Sequence, residues 1–86
     1  MRSQHIWTAR DEDGRKREVR VTKFGGAWRF QAKFKDETDW TYFDAPLLDD
    51  LRDLREIVFR KYQRRRASFE DLAVVEQMLR DQLRNE

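Results

Sequence analysis

The sequence VRVTKFGGAWRFQAKF, residues 19–34, decides the fold of this chain. It consists of two runs of alternating apolar and polar residues, joined by Gly25-Gly26. Alternation with a period of two is typical of a half-buried β-strand, and glycine adopts the positive φ that a two-residue hairpin turn requires. We therefore predict an antiparallel hairpin in which Phe24 pairs with Ala27 and Val21 pairs with Phe30.

This register divides the side chains of the hairpin between two faces. The mainly apolar face carries Val19, Val21, Trp28, Phe30, Ala32 and Phe34. The polar face carries Glu18, Arg20, Thr22, Arg29, Gln31 and Lys33. A shift of one residue would expose the whole apolar set, so the pattern predicts one buried face and one outer face.

Two further strands are predicted on either side of the hairpin, at about 4–10 and 40–43, with the hairpin strands at about 15–24 and 27–35. The Asp13-Gly14 turn signal allows two registers. A two-residue loop would place Ile6 on the core face, whereas a three-residue loop with a bulge would place Trp7 there. We favour Trp7, because it has more apolar area to bury. The alternating aromatic residues are interpreted mainly as core: Trp28, Phe30, Phe34, Trp40 and Tyr42. The alternative is a base-stacking platform of the kind found in RNA-binding sheets, although their RNP-type motif is absent here.

The remainder of the chain predicts two helices, at about 46–66 and 69–84. Asp44 and Pro46 suit the start of the first helix. Its apolar stripe is Leu47, Leu51, Leu54, Val58 and Tyr62. Ser68 with Asp71 resembles a capping box that opens the second helix. We therefore predict one α+β domain over residues 1–86: an antiparallel three- to four-stranded β-meander followed by two α-helices packed on one face.

Composition and charge limit the classes of function. The chain has no cysteine, which excludes disulfides and thiolate metal sites, and no apolar run approaches the ~18 residues of a membrane span. We expect a cytoplasmic protein with no membrane association. The net charge of +2 conceals a strongly basic segment, residues 60–66, which holds five basic residues and no acidic one.

The sequence contains few residues that could serve in catalysis. His5 is the single histidine, and we expect it to be a solvated residue near a frayed end. The acidic turn at residues 11–14 lacks the spacing of an EF-hand, and the acids Asp49, Asp50 and Asp53 suit the start of a helix. We predict no enzymatic activity, no cofactor, no metal and no small-molecule substrate.

The first functional hypothesis is a small non-enzymatic binding or accessory protein that acts through protein–protein contacts. The two amphipathic helices carry more apolar side chains than one small sheet covers. The surplus residues, Leu48, Phe59, Tyr62 and Met78, would then contact an unidentified protein partner or a second copy of the chain.

The alternative hypothesis is nucleic-acid binding. The predicted outer face carries Arg20, Arg29 and Lys33, and a two-stranded ribbon fits the major groove of DNA. The basic end of the first helix carries Arg64, Arg65 and Arg66, which would neutralise phosphates of DNA or RNA.

Overall fold

The computed structural model describes residues 3–84, which form four strands followed by two helices. The elements are β1 (Ser3–Arg10), β2 (Lys16–Phe24), β3 (Ala27–Phe34), β4 (Thr41–Phe43), α1 (Leu48–Gln63) and α2 (Phe69–Arg84). The strands form one antiparallel sheet in the order β1-β2-β3-β4, so the predicted α+β class and β-meander are confirmed. The chain divides into two compact units between Ala45 and Pro46, one holding the sheet and one the helices. That the two units unfold as a single domain stays a prediction.

The β2–β3 hairpin has the predicted register. Phe24 pairs with Ala27 and Val21 pairs with Phe30. Both turn glycines have positive φ, 57° at Gly25 and 83° at Gly26, which the primed hairpin turn requires. On the apolar face, Val19, Val21, Phe30 and Ala32 are buried.

The β1–β2 hairpin has the three-residue loop that we favoured. The backbone N–H of Asp11 donates to the Arg15 carbonyl oxygen at 3.1 Å, and Gly14 has a φ of 80°. This loop pairs Trp7 with Val19 on the buried face, while Ile6 is 52% exposed. The Asp11 carboxylate accepts hydrogen bonds from the backbone N–H groups of Asp13 and Arg15, at 3.0 and 2.9 Å. That carboxylate therefore stabilises the turn.

His5 differs from its prediction. It is 4% exposed, and its ring stacks on that of Trp28 with a centroid separation of 6.4 Å and an interplanar angle of 7°. The three-residue loop places His5 opposite Val21, on the same face as Trp7. The expectation of a solvated terminal residue is wrong, because the hairpin register turns this side chain toward the core.

The short edge strand β4 corrects the interpretation of two aromatic residues. Phe43 pairs with Phe30 on the buried face, so Tyr42, opposite Gln31, points to the outer face and is 64% exposed. The ring of Trp40 contacts Arg20 and Lys33, which lie on the outer face. The interpretation of Trp40 and Tyr42 as core residues is therefore wrong, whereas Phe30 is buried and Trp28 and Phe34 are half-buried on the apolar face.

The helical unit buries the middle of the stripe predicted for the first helix, Leu51, Leu54 and Val58, while its two ends, Leu47 and Tyr62, are exposed. Leu47 is the N-cap of α1 and makes no side-chain capping hydrogen bond, so the expected start at 46 after an Asp44 cap is wrong. The N-cap of α2 is as predicted: the Ser68 hydroxyl oxygen accepts a hydrogen bond from the backbone N–H of Asp71 at 3.1 Å. The buried apolar residues of the two helices are Leu51, Leu54, Val58, Leu72 and Val75.

The two helices are linked by an ion pair between Arg55 of α1 and Glu76 of α2, with 3.6 Å between Nη2 and Oε2. Over residues 3–84, no helix combines the length and the apolar character needed to cross a membrane.

Candidate functional site

The side chains that the registers place away from the buried face of the sheet form a surface that we call the outer face. Its members are Gln4, Ile6, Thr8, Arg10, Lys16, Glu18, Arg20, Thr22, Phe24, Ala27, Arg29, Gln31, Lys33 and Tyr42. Five of them are basic and one is acidic, a net charge of +4 on a chain whose total is +2. The outer face therefore concentrates positive charge.

Trp40 adds an aromatic ring to this positive surface. It directly precedes β4 and contacts two cations of the outer face. The guanidinium carbon of Arg20 is 4.2 Å from the ring centroid, and the ammonium nitrogen of Lys33 is 5.5 Å from it. Each such contact contributes about 0.5–1 kcal/mol at an exposed site, so the ring and both cations hold one another in place.

Further contacts define how these cations are oriented. The Lys33 ammonium also donates to the Glu37 carbonyl oxygen at 3.3 Å. Arg20 Nε is buried and has no hydrogen-bond partner among the described residues, so stacking on Trp40 is the contact that orients this guanidinium. Lys33 lies opposite Glu18 in the sheet, but its ammonium bonds to the Glu37 backbone, and the cross-strand ion pair that this register permits is not formed.

A row of four residues crosses the outer face from one edge strand to the other: Ile6, Arg20, Gln31 and Tyr42. The two ends of the row are exposed apolar or aromatic side chains. Gln31, within the row, is buried at 7% exposure. The row therefore presents a closely packed middle with an accessible tyrosine ring at the β4 edge.

Arg29 is one of two cations of the outer face, with Lys16, whose side chains have no partner among residues 3–84. Arg29 is exposed, and the described part of the chain offers it no hydrogen bond, ion pair or ring contact. An exposed guanidinium that has no internal acceptor keeps all its donors for an external anion.

A second positive surface, the basic corner, ends α1 and comprises Arg60, Lys61, Arg64, Arg65 and Arg66. The backbone N–H of Arg66 donates to the Lys61 carbonyl at 2.7 Å, and that of Arg65 donates to the Tyr62 carbonyl at 3.0 Å. With a φ of 61° at Arg65, these bonds form a Schellman motif. The motif ends α1 at Gln63, so the predicted continuation of the helix to 66 is wrong.

The predicted site residues thus fall into two groups. Arg20, Arg29 and Lys33 share the outer face of the sheet, while Arg64, Arg65 and Arg66 belong to the basic corner of the helical unit. Among the residues that the structure describes, Arg64, Arg65 and Arg66 have no side-chain hydrogen bond, ion pair or ring contact. All three are exposed.

Sequence reasoning missed the contribution of Trp40 and Tyr42 to the outer face. The segment between β3 and β4 has no turn signal that fixes its length, and adding one residue to it reverses which face each β4 side chain occupies. The missing signal was therefore the register between Ala32 and Thr41.

The apolar helix residues that we predicted to contact a protein partner expose less of their surface than expected. Leu48, Phe59 and Met78 are half-buried. Tyr62 is 39% exposed and its ring lies 6.1 Å from that of Phe69, which is 64% exposed. This exposed aromatic pair is the part of the helical unit that best fits a protein contact.

Neither a metal site nor a known relative adds to this description. Residues 3–84 contain no group of three histidine, cysteine, aspartate or glutamate side chains arranged to hold a metal ion. Comparisons with protein-family models, with curated proteins and with solved structures found no match to this chain. The geometry of the outer face and of the basic corner is therefore the basis for assigning a function.

Proposed function

We propose that this chain is a non-enzymatic, cytoplasmic nucleic-acid-binding protein that binds through the outer face of its sheet. One observation carries the proposal: the outer face combines a net charge of +4 with an aromatic ring, Trp40, in contact with Arg20 and Lys33. Phosphates supply the anions that such a surface attracts, and nucleic-acid bases supply flat surfaces for aromatic rings.

Phosphate contacts make this binding depend strongly on salt, because each neutralised phosphate releases condensed counterions. The outer face offers five cations, one of which faces Glu18. If about four of them contact phosphates of a single strand, the logarithm of affinity falls with the logarithm of salt with a slope of about −2.8. Between about 50 and 200 mM salt, this slope gives a loss of affinity of roughly 50-fold.

The test is fluorescence anisotropy with labelled oligonucleotides at these two salt concentrations. The Arg29→Ala variant removes a cation that has no internal partner, so we expect a shallower slope of about −2.1 and a salt-dependent loss of roughly 20-fold. Arg80→Ala is the matched control, because Arg80 is also exposed but lies on α2 and bonds to the Gln77 side chain. An Arg29→Ala variant that behaves like Arg80→Ala would contradict the proposal.

The basic corner is proposed as an additional phosphate-binding surface that does not discriminate between sequences. Its three exposed arginines have no acceptor in the described part of the chain. Arg66→Ala should weaken the binding of every sequence by about the same factor. A change in sequence preference in this variant would show that the corner has a different role.

A second candidate function, binding of a protein partner or a second copy through the helices, is favoured by the exposed Tyr62–Phe69 pair. Aromatic residues dominate the energetics of many protein interfaces. Sedimentation velocity over a wide range of concentration tests the homodimer. Concentration-dependent association that Phe69→Ala abolishes would support it, whereas a monomer at all concentrations would eliminate the second copy as partner.

A further inference from the structure

The outer face carries its aromatic and cationic groups in an arrangement suited to one form of nucleic acid. Tyr42 is 64% exposed on the edge strand β4, and Trp40, two residues earlier, contacts the outer-face cations Arg20 and Lys33. At about 3.4 Å per extended residue, their Cα atoms lie about 7 Å apart, twice the spacing of stacked bases in a duplex. Neighbouring aromatic rings at this spacing suit bases that have separated from one another.

A duplex fits the same surface poorly. Four strands at a spacing of about 4.8 Å span about 14 Å between the axes of the outer strands, whereas the major groove is about 12 Å wide. The β2–β3 ribbon lies in the middle of the sheet, so it does not project as the free ribbon that enters a groove. The bases of a duplex are also stacked on one another, which leaves no base face for Tyr42.

We propose that the ligand of the outer face is single-stranded nucleic acid, with bases stacked on Tyr42 and Trp40 and phosphates held by Arg29 and its neighbouring cations. This inference rests on the proposed function and specifies its ligand. Stacking on aromatic side chains accepts every base, so the site recognises the single strand by its unpaired bases and by its charge.

The experiment compares four labelled polymers of about 12 residues, a length within the range bound by single-strand-binding folds. They are oligodeoxyuridine, oligouridine, a DNA duplex and an abasic deoxyribose-phosphate strand, which keeps the charge but has no bases. We expect the two base-containing single strands to bind most tightly. Tyr42→Ala should weaken them by about 5- to 150-fold, the loss expected for one base stack, and should leave the abasic strand unchanged.

Two variants control for the ring and for exposed apolar area. Tyr42→Phe keeps the ring and should retain affinity within about two-fold, since stacking does not need the hydroxyl. Leu83→Ala removes an apolar side chain that is 45% exposed on α2 and should leave single-strand affinity unchanged. Tyr42→Leu keeps apolar bulk without the ring and serves as a second test if Tyr42→Ala fails to fold.

The outcomes separate this inference from the proposed function. No binding of any polymer at about 50 mM salt would overturn both, because phosphate contacts are strong under that condition. Equal binding of duplex, abasic and intact single strands, unchanged by Tyr42→Ala or Tyr42→Leu, would keep the proposed function and overturn the single-strand ligand. A preference for one of oligodeoxyuridine and oligouridine, which differ only in the sugar, would identify DNA or RNA as the source of the strand.

Discussion

Replacing Arg65 by glycine should make this protein more stable. Arg65 is the residue with positive φ that closes the Schellman motif at the end of α1, and its φ is 61°. Most proteins place glycine at this position, because a Cβ is crowded in the left-handed region. The side chain has no contact in the described part of the chain that would be lost on substitution.

The size of the effect follows from two opposing terms. The left-handed conformation costs a residue with a Cβ roughly 1–2 kcal/mol, which glycine avoids. Glycine makes the unfolded chain more flexible, which costs about 0.4–1 kcal/mol. The net gain is therefore about 0.5–1 kcal/mol in the free energy of unfolding, which raises Tm by about 2–8 °C in a chain of this size.

Thermal and urea unfolding followed by far-UV circular dichroism measure this gain. Arg64→Gly is the matched control: it removes the same charge one residue earlier, but Arg64 has a φ of −91° and gains no relief from glycine. We expect Arg64→Gly to be no more stable than the parent chain. If Arg65→Gly were no more stable than Arg64→Gly, the argument from backbone strain would be refuted.

Three further measurements test the packing of the two units. Leu54 is 0% exposed, so Leu54→Ala should cost about 2–5 kcal/mol, whereas Val74→Ala, at a position 42% exposed, should cost far less; equal melting would contradict the core placement. Ser68→Ala removes the N-cap of α2 and should cost about 1 kcal/mol by urea unfolding, while Ser68→Asp should retain most of the stability. All three tryptophans lie in the sheet unit, so coincident tryptophan-fluorescence and far-UV dichroism transitions would confirm a single domain, and separate transitions would refute it.

The strand pairings that a glycine pair or a clear apolar alternation determines were predictable from the sequence. Gly25-Gly26 left one register for β2 and β3, and the structure has that register. The Asp13-Gly14 signal permitted two, and the large apolar area of Trp7 identified the observed one. His5 was mispredicted because its nearness to the end of the chain was weighed above the register that it shares with Trp7.

The parts that sequence reasoning missed depend on geometry that short-range patterns do not encode. The face occupied by Tyr42 follows from the length of the connection before β4, which alternation within Trp40–Phe43 does not specify. The end of α1 depends on a left-handed residue, and an arginine gives no signal for that conformation where a glycine would. The hairpin pattern placed Arg20, Arg29 and Lys33 on one face, but the contact of Trp40 with Arg20 and Lys33 depends on the connection between β3 and β4.

The burial of His5 gives the chain a built-in chemical reporter. His5 is the single histidine of this sequence, so a histidine-selective acylating reagent has one target. In the folded chain this target is shielded, because His5 is 4% exposed and its ring stacks on that of Trp28. The rate at which His5 is modified therefore reports how often β1 opens. Measured with and without an oligonucleotide, the same reaction would show whether ligand binding on the opposite side of the sheet slows the fraying of its first strand.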